Sequence, residues 1–294
     1  MRSRSWILKE VCDMHLSITL NPFVDSDLLY AQQLGVTWVV GNLPAWDYET
    51  LAAACNRVAK SGLYLSGLSC LPEHLLTKAL LDKSKSVMAV NEVCQIITNA
   101  GKLGISTLGY SLPFAPPAGI AKTITGRGGA MSAVYGNHDC EKPALQDSRE
   151  EMWQALMDFL QCVMPVAEAT GVRLAYRTDI SAASQPEDRS ILDSVPELDR
   201  LFQVAGSSSH GLDLDHGFLT AILIHKTDSK VEEVIQHFGL QNRIFAVRLR
   251  NLRRVDHGVQ EFFLDEDRVD MIRTLQAYKK SGFEGSLCPI PSPG

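Results

Sequence analysis

The feature that most constrains this 294-residue chain is a recurring junction, in which a helical pattern ends at a glycine and an apolar strand begins within two or three residues. Four junctions follow this pattern strictly, and they begin at Gly35, Gly62, Gly104 and Gly171. Glycine suits the left-handed residue that commonly ends a helix, so each junction marks a helix-to-strand connection. Repeated connections of this kind predict an α/β protein with a parallel sheet.

The number of predicted strands selects among parallel-sheet folds. Eight apolar segments have strand character, at residues 15–20, 37–41, 64–70, 107–111, 173–179, 211–215, 244–250 and 285–290. Helical patterns lie between them, most clearly at 150–170, where apolar residues recur at spacings of three and four. No glycine-rich phosphate loop follows the first strand, and Gly126-Arg-Gly-Gly129 opens no predicted helix. We therefore predict a (β/α)8 TIM barrel, as a single domain over residues 1–294.

Two segments break the regular alternation. Residues 112–147 form a long stretch rich in proline and glycine after the fourth strand, and the charged residues 251–267 follow the seventh strand. Loops this long in compact domains are usually lids or binding segments. Because active sites of these barrels lie at the carboxyl ends of the strands, we expect both insertions to lie over the same mouth.

Composition excludes several classes of function. A net charge of −6 argues against nucleic-acid or anionic-membrane partners, and no apolar run approaches a membrane span. The basic N-terminal residues lack the apolar core of a secretory signal. Seven cysteines without CxxC spacing suit reduced thiols better than disulfides or a zinc site. We expect a cytoplasmic protein with a small-molecule ligand.

The predicted strand ends carry the candidate functional residues. Arg177, Asp215 and Arg248 come from the fifth, sixth and seventh strands, and alternation predicts that they converge if their sides face inward. Charged side chains inside a barrel are costly unless they are paired. Two interpretations stay open: these residues form a closed ion-pair network, or they bind an anionic ligand.

Other candidates are less specific. Arg127 lies between glycines whose backbone amides are able to approach an anion, although a solvated turn explains it equally well. Tyr110 is a candidate for substrate contact or proton donation by position alone. The segment His138-Asp139-Cys140 is better explained as a polar loop than as a metal site. His216 follows Asp215 on a strand, so the two side chains face opposite sides and do not share a metal ion.

Several segments resemble one known family. They are Pro165-Val-Ala-Glu-Ala-Thr-Gly-Val-Arg-Leu-Ala, the strand that ends in Leu249-Arg-Asn251, Glu261 with Val269-Asp-Met271, and Thr125-Gly-Arg-Gly-Gly-Ala130. By their order and spacing, the chain resembles the mannonate dehydratase family through almost its whole length. The resemblance implies a xylose isomerase-like barrel and the dehydration of D-mannonate to 2-dehydro-3-deoxy-D-gluconate in hexuronate catabolism. It also implies a divalent metal, usually Mn²⁺.

The metal ligands that the resemblance implies are not retained. The family places His, Cys, His and Asp where this chain has Arg177, Asp215, Arg248 and Ile290. One carboxylate beside two guanidinium groups does not make a metal site, so we predict no resident metal or other cofactor. The family's catalytic His falls on Pro291, and its later Tyr and the closing barrel helix fall beyond Gly294. We therefore expect the last helix to be missing or incomplete, and an apolar face that a second copy would cover in a homo-oligomer.

Three hypotheses for function remain open. The first is a mannonate dehydratase-like sugar-acid lyase. The second is a non-catalytic barrel, a pseudoenzyme that binds a sugar acid or another anion through Arg177, Arg248 and Arg127. The third is a structural or interaction protein of the same fold.

Overall fold

Eight parallel strands close into a barrel, in the order β1-β12-β9-β8-β7-β4-β3-β2. The computed structural model describes residues 14–114, 119–136, 148–180, 191–226, 230–255, 258–266 and 270–290, and all their side chains except those of 225 and 226. The barrel strands are β1 His15–Leu20, β2 Trp38–Gly41, β3 Tyr64–Leu68, β4 Thr107–Tyr110, β7 Arg173–Arg177, β8 His210–Asp215, β9 Ile244–Leu249 and β12 Ser286–Pro289. The predicted barrel is confirmed, and each of the eight strands starts and ends within two residues of its predicted position.

Helices surround the barrel. They are α1 Asp25–Gln33, α2 Tyr48–Lys60, α3 Glu73–Leu81, α4 Ser86–Lys102, α5 Arg149–Thr170, α6 Val195–Ala205, α7 His216–Ala221, α8 Val231–Gly239 and α9 Met271–Lys280. Helix α5 shows why the predicted junctions hold: a capping box between Ser148 and Glu151 starts it, and Gly171 ends it with a φ of 70°. Helices α3 and α7 are present in the structure but were not predicted from the sequence. No helix in the described ranges is long and apolar enough to cross a membrane.

The main core lies between the barrel and its helices, whereas the barrel interior encloses little free space and contains both polar and apolar side chains. Phe159, Leu160 and Val163 of α5 are buried in the outer layer, where each large apolar side chain contributes about 1.5–3 kcal/mol. Inside the barrel, a cavity of about 30 Å³ has among its lining residues Ser66, Thr107, Ala175, Asp213, Ala246 and Ser286. Polar groups in such an interior need partners, and the Ser17 and Ser286 hydroxyls lie 2.5 Å apart.

The two insertions form one antiparallel sheet, in the order β10-β11-β6-β5. Its strands are β5 Gly119–Thr125, β6 Met131–Gly136, β10 Asn251–Val255 and β11 Gly258–Phe262. Val259 pairs with Tyr135, and this pairing joins the two insertions into one sheet, the side sheet. The long loop expected at residues 112–147 therefore contains two strands, at residues 119–125 and 131–136, and the charged insertion contains two more, at residues 251–255 and 258–262. A tight turn, in which Gly128 and Gly129 have φ of 66° and 85°, allows β5 and β6 to form a hairpin.

Candidate functional site

The predicted convergence at the carboxyl ends of β8 and β9 is present. Asp215 and Arg248 are register partners on these neighbouring strands. The Arg248 Nε donates to Asp213 Oδ1 at 3.1 Å, and Nη1 donates to Asp215 Oδ2 at 3.3 Å. Its Nη2 donates to the carbonyl oxygen of Thr178, just beyond β7. One guanidinium group therefore joins three oxygen acceptors from two strand ends.

Asp215 is fully buried, and both of its oxygens are occupied. Oδ1 accepts from the backbone amides of Gly217 and Phe218, at 2.8 and 3.3 Å, and so caps helix α7. Arg250 donates from Nε at 3.0 Å and also from Nη2, and Arg248 adds a fifth donor. Burial alone would raise the pKa of Asp215, but the charges of Arg250 and Arg248 and these hydrogen bonds outweigh it and lower the pKa.

We call Asp213, Asp215, Arg248 and Arg250 the mouth cluster. Its formal charges sum to zero, and the four side chains are at most 11% exposed. Buried charges are tolerated when they are paired and hydrogen bonded, as they are here. Of the two interpretations, Arg248 and Asp215 therefore follow the first, because they form a closed ion-pair network. Both oxygens of Asp215 are occupied, so neither is available to a ligand.

Arg177 does not join the mouth cluster. It is half-buried, and its Nη1 donates to the carbonyl oxygen of Ser69 at 3.4 Å. No ion pair joins it to a carboxylate in the described ranges. The three-residue convergence predicted from the sequence is therefore corrected to Asp215 and Arg248, with Arg177 directed towards the end of β3.

A cleft of about 880 Å³ lies at the carboxyl ends of β2, β3 and β4. Arg177 does not line this cleft, but Cys70 of the cleft wall follows Ser69, whose carbonyl oxygen accepts from Arg177. Cys70 and Ser111 form its inner edge, and the Cys70 sulfur lies 3.3 Å from the Ser111 hydroxyl. Burial raises the pKa of the Cys70 thiol, so this thiol stays protonated near neutral pH. The other polar and aromatic residues of the cleft wall include three carboxylates, and they are Asn42, Trp46, Asp47, Tyr48, Glu73, His74, Glu92, Gln95 and Asn99.

Arg127 and Tyr110 occupy different environments. Arg127 lies in the β5–β6 turn, where it forms two hydrogen bonds with Asp265, at 2.7 and 2.9 Å, and covers the Phe263 ring at 4.5 Å. Its charge is therefore already paired within the protein. Tyr110 is fully buried, and its hydroxyl lies 2.8 Å from Nε2 of His210. A side chain without solvent access cannot contact a substrate, so Tyr110 is removed from the candidates.

Two side-sheet residues near the mouth were missed as site residues. The Arg250 guanidinium lies 6.0 Å from the ring centre of Tyr135, at the distance limit of a cation–π contact. Glu261 is buried on β11, where burial raises its pKa and the charge of Arg250 opposes that rise. The sequence signal was available in the resemblance, which includes Glu261, but the strand that positions it was not recognised.

The residues at the implied metal position do not fit a divalent cation. The Asp215 oxygens already accept five N–H groups, Arg177 and Arg248 carry positive charge, and Ile290 has no side-chain donor. Across the described ranges, no group of three or more His, Cys, Asp or Glu is arranged to hold a metal ion. The segment 138–140 and Pro291 lie outside the described residues.

Comparisons with known proteins agree with this fold. The D-mannonate dehydratase (UxuA) family profile matches residues 144–292. Mannonate dehydratase 2 of Halalkalibacterium halodurans is 27% identical over 278 residues, covering 83% of this chain and 78% of the relative. A mannonate dehydratase of Streptococcus agalactiae serotype V is 22% identical over 291 residues, covering 87% of this chain and 81% of the relative.

Solved structures show the same architecture. The mannonate dehydratase from Streptococcus suis serotype 2 superposes with a TM-score of 0.80 at 18% identity, covering 94% of this chain and 85% of that one. A xylose isomerase domain protein from Planctomyces limnophilus gives 0.63 at 13% identity, covering 95% and 91%. These structures place the fold among xylose isomerase-like TIM barrels. The family profile matches half of the sequence, and it shows that the chain belongs to the D-mannonate dehydratase family.

Proposed function

We propose that this protein binds a small sugar acid at its barrel mouth through Arg177, and that it does not carry out metal-dependent dehydration. The observation that carries the proposal is the contrast between the arginines. Arg248 and Arg250 are neutralised within the mouth cluster, whereas in the described ranges Arg177 forms no ion pair and donates its hydrogen bond to a carbonyl oxygen. A carboxylate ligand would supply the missing counter-charge, since guanidinium groups bind carboxylates with paired hydrogen bonds.

The cleft at the ends of β2, β3 and β4 supports a polyhydroxylated ligand. Its volume of about 880 Å³ lies within the range of about 300–1,000 Å³ typical of small-molecule sites. Asn99 is buried, and its Oδ1 accepts from Gln95 at 2.9 Å, while its amide nitrogen has no hydrogen-bond partner in the part of the chain described. Ser111 and Asn99 are therefore suited to hydroxyl groups of a sugar acid. Because Arg177 does not line the cleft, the ligand would have to reach past Cys70 for its carboxylate to meet Arg177.

The chemistry of dehydration is less well supported. Removing the proton beside a carboxylate requires a base and a positive charge that stabilises the enediolate. Arg177 supplies a charge. Glu261 is a buried carboxyl group near the mouth, but nothing places it beside the ligand. The mouth cluster leaves no donor set for the metal that the family resemblance implies, so we derive no step through a metal.

Dehydration of D-mannonate is the second candidate function. Family membership supports it, through the profile match over residues 144–292 and the mannonate dehydratases among the relatives. It requires that another group replace the metal and the base. The two candidates differ in one observable, because only the second predicts formation of 2-dehydro-3-deoxy-D-gluconate.

The test combines binding with turnover. D-mannonate and D-gluconate are titrated into the wild type and Arg177→Ala by calorimetry and thermal denaturation. Arg273→Ala serves as the control, because it removes the same charge from an exposed position on α9. We expect Arg177→Ala to weaken binding by about 10-fold to 100-fold, the loss of a hydrogen bond to a charged group, and the control to bind normally.

Two results would count against the proposal. Equal affinities of the wild type and Arg177→Ala would reject Arg177 as the ligand contact. Formation of the dehydration product from D-mannonate, with or without added Mn²⁺, would establish the second function instead.

A further inference from the structure

We propose that the Arg248 guanidinium is an internal cation that fills the place of a divalent metal ion at the barrel mouth, so that the local fold depends on this side chain and not on a metal. The residues present at the mouth do not fit the metal that the family resemblance implies, and Arg248 supplies the positive charge there. This role of Arg248 does not depend on sugar-acid binding, because Arg177 takes no part in it.

The first support is the chemistry around the guanidinium. Its partners are all oxygen atoms: a carboxylate oxygen of Asp213, a carboxylate oxygen of Asp215 and the carbonyl oxygen of Thr178. Carboxylate and carbonyl oxygens are also the ligands of hard divalent cations. The three oxygens converge from the ends of β7 and β8, and the group at their centre is positively charged.

The second support is the fit of arginine to this position. Arg248 starts from β9, in register with Asp215, and each of its three side-chain nitrogens donates to a different acceptor. A planar fork of donors suits this arrangement, whereas a lysine ammonium is a single point charge. The positive charge is therefore covalently attached to β9, and the strand fixes the direction in which the side chain points.

The third support is the number of elements that the cation connects. The backbone amide of Asp215 donates to Thr178 Oγ1 at 2.8 Å, and Asp215 Oδ1 caps α7. The Arg248 contacts to Thr178, Asp213 and Asp215 thus hold the end of β7, strand β8 and the start of α7 against β9. Without Arg248, Asp213 loses its ionic partner in the mouth cluster, and Asp215 keeps Arg250 alone.

The test is chemical rescue of a cavity. Arg248→Ala removes the guanidinium but leaves its oxygen cage, and we expect the melting temperature to fall on the order of 10 °C. Millimolar ethylguanidinium should recover part of this loss. It should not stabilise the wild type, or Arg248→Met, whose side chain fills the space without charge. Arg273→Ala controls for non-specific effects of the additive, because it removes an exposed arginine on α9.

A parallel titration uses Mn²⁺. We expect no calorimetric binding of Mn²⁺ at the mouth of the wild type and no rise in its melting temperature. Stabilisation of Arg248→Ala by Mn²⁺, together with none in the wild type, would add support, because the freed oxygens would then accept the metal in place of the guanidinium.

Three outcomes would overturn the inference. They are stoichiometric Mn²⁺ binding that stabilises the wild type, unchanged stability of Arg248→Ala, and failure of both ethylguanidinium and Mn²⁺ to stabilise that variant. If Arg248→Ala does not fold, Arg248→Lys and Arg248→Met replace it. Lysine keeps the charge, so Arg248→Lys should melt at the higher temperature, and equal melting temperatures would reject the role of the charge.

Discussion

Replacing Asp215 with asparagine isolates the electrostatic contribution of the mouth cluster. The substitution keeps the shape of the side chain, and an asparagine oxygen still accepts from the Gly217 and Phe218 amides that Asp215 caps. The change falls on Oδ2, which accepts from Arg248 and Arg250. There an amide nitrogen would face two donors. Asp213, which pairs with Arg248, would be the remaining carboxylate of the mouth cluster.

The expected loss is that of breaking a buried ion pair, about 3–5 kcal/mol in the free energy of unfolding. For a chain of this size, that corresponds to a fall in melting temperature on the order of 10 °C. Urea denaturation at neutral pH measures it. The matched control is Asp47→Asn, at the exposed N-cap of α2. Asp47 accepts hydrogen bonds from the backbone amide and the hydroxyl of Thr50, at 2.9 and 2.8 Å. The control should leave the denaturation midpoint unchanged.

The effect should also depend on pH with a defined sign. The folded-state pKa of Asp215 is lowered, so its contribution is present above the unfolded pKa of about 3.9 and is lost as pH falls through the folded pKa. The gap between wild type and Asp215→Asn should therefore stay constant from about pH 5 to 8 and narrow below about pH 4. A loss smaller than about 1 kcal/mol at neutral pH, or no narrowing in acid, would refute the reasoning.

Two further predictions concern buried hydrogen-bonded rings. Tyr110→Phe removes the partner of Nε2 of His210, which should lower the free energy of unfolding by about 1–3 kcal/mol and leave sugar-acid affinity unchanged; weaker binding would return Tyr110 to the site. Burial lowers the pKa of His216 to about 4, so the unfolded chain, with a histidine pKa of about 6.5, takes up the proton first. As the pH falls between these two values, the free energy of unfolding should decrease by about 1.4 kcal/mol per pH unit, and His216→Gln should reduce this slope. Urea unfolding at several pH values measures the slope, and identical slopes in the two proteins would contradict the prediction.

The barrel was predictable because its signals are local and repeated. Each glycine junction depends on a left-handed helix end, and each strand is a short apolar run, so neither requires knowledge of distant partners. The side sheet lacks such signals. Its strand β6 is completed by β11, far along the chain, and the prolines and charges of the insertions indicate loops. Helix α7 was missed because it has only six residues and begins directly after the cap residue Asp215.

The candidate site was predictable only in part, because the alternation of side chains along a strand gives their side of the sheet but not their contacts. Asp215 and Arg248 lie on adjacent strands with their side chains on one side, so their contact follows from strand order. Arg177 shares that alternation, but its long side chain reaches the Ser69 carbonyl beyond β3. For Tyr110, alternation could not say which side faces the helices. Its ring packs beside Phe159 of α5, at 6.2 Å between centroids, in the outer layer.

The side sheet has a consequence for how this protein can change over evolution. Strand β6 from the first insertion pairs with β11 from the second, so each insertion supplies backbone partners to the other. Losing either insertion alone would expose an unpaired strand edge on the one that remains, and such edges promote association with other chains. The two segments are therefore expected to be gained, lengthened or lost together, although a large part of the barrel sequence separates them. Changes in the side sheet beside the mouth cluster would then occur as paired steps.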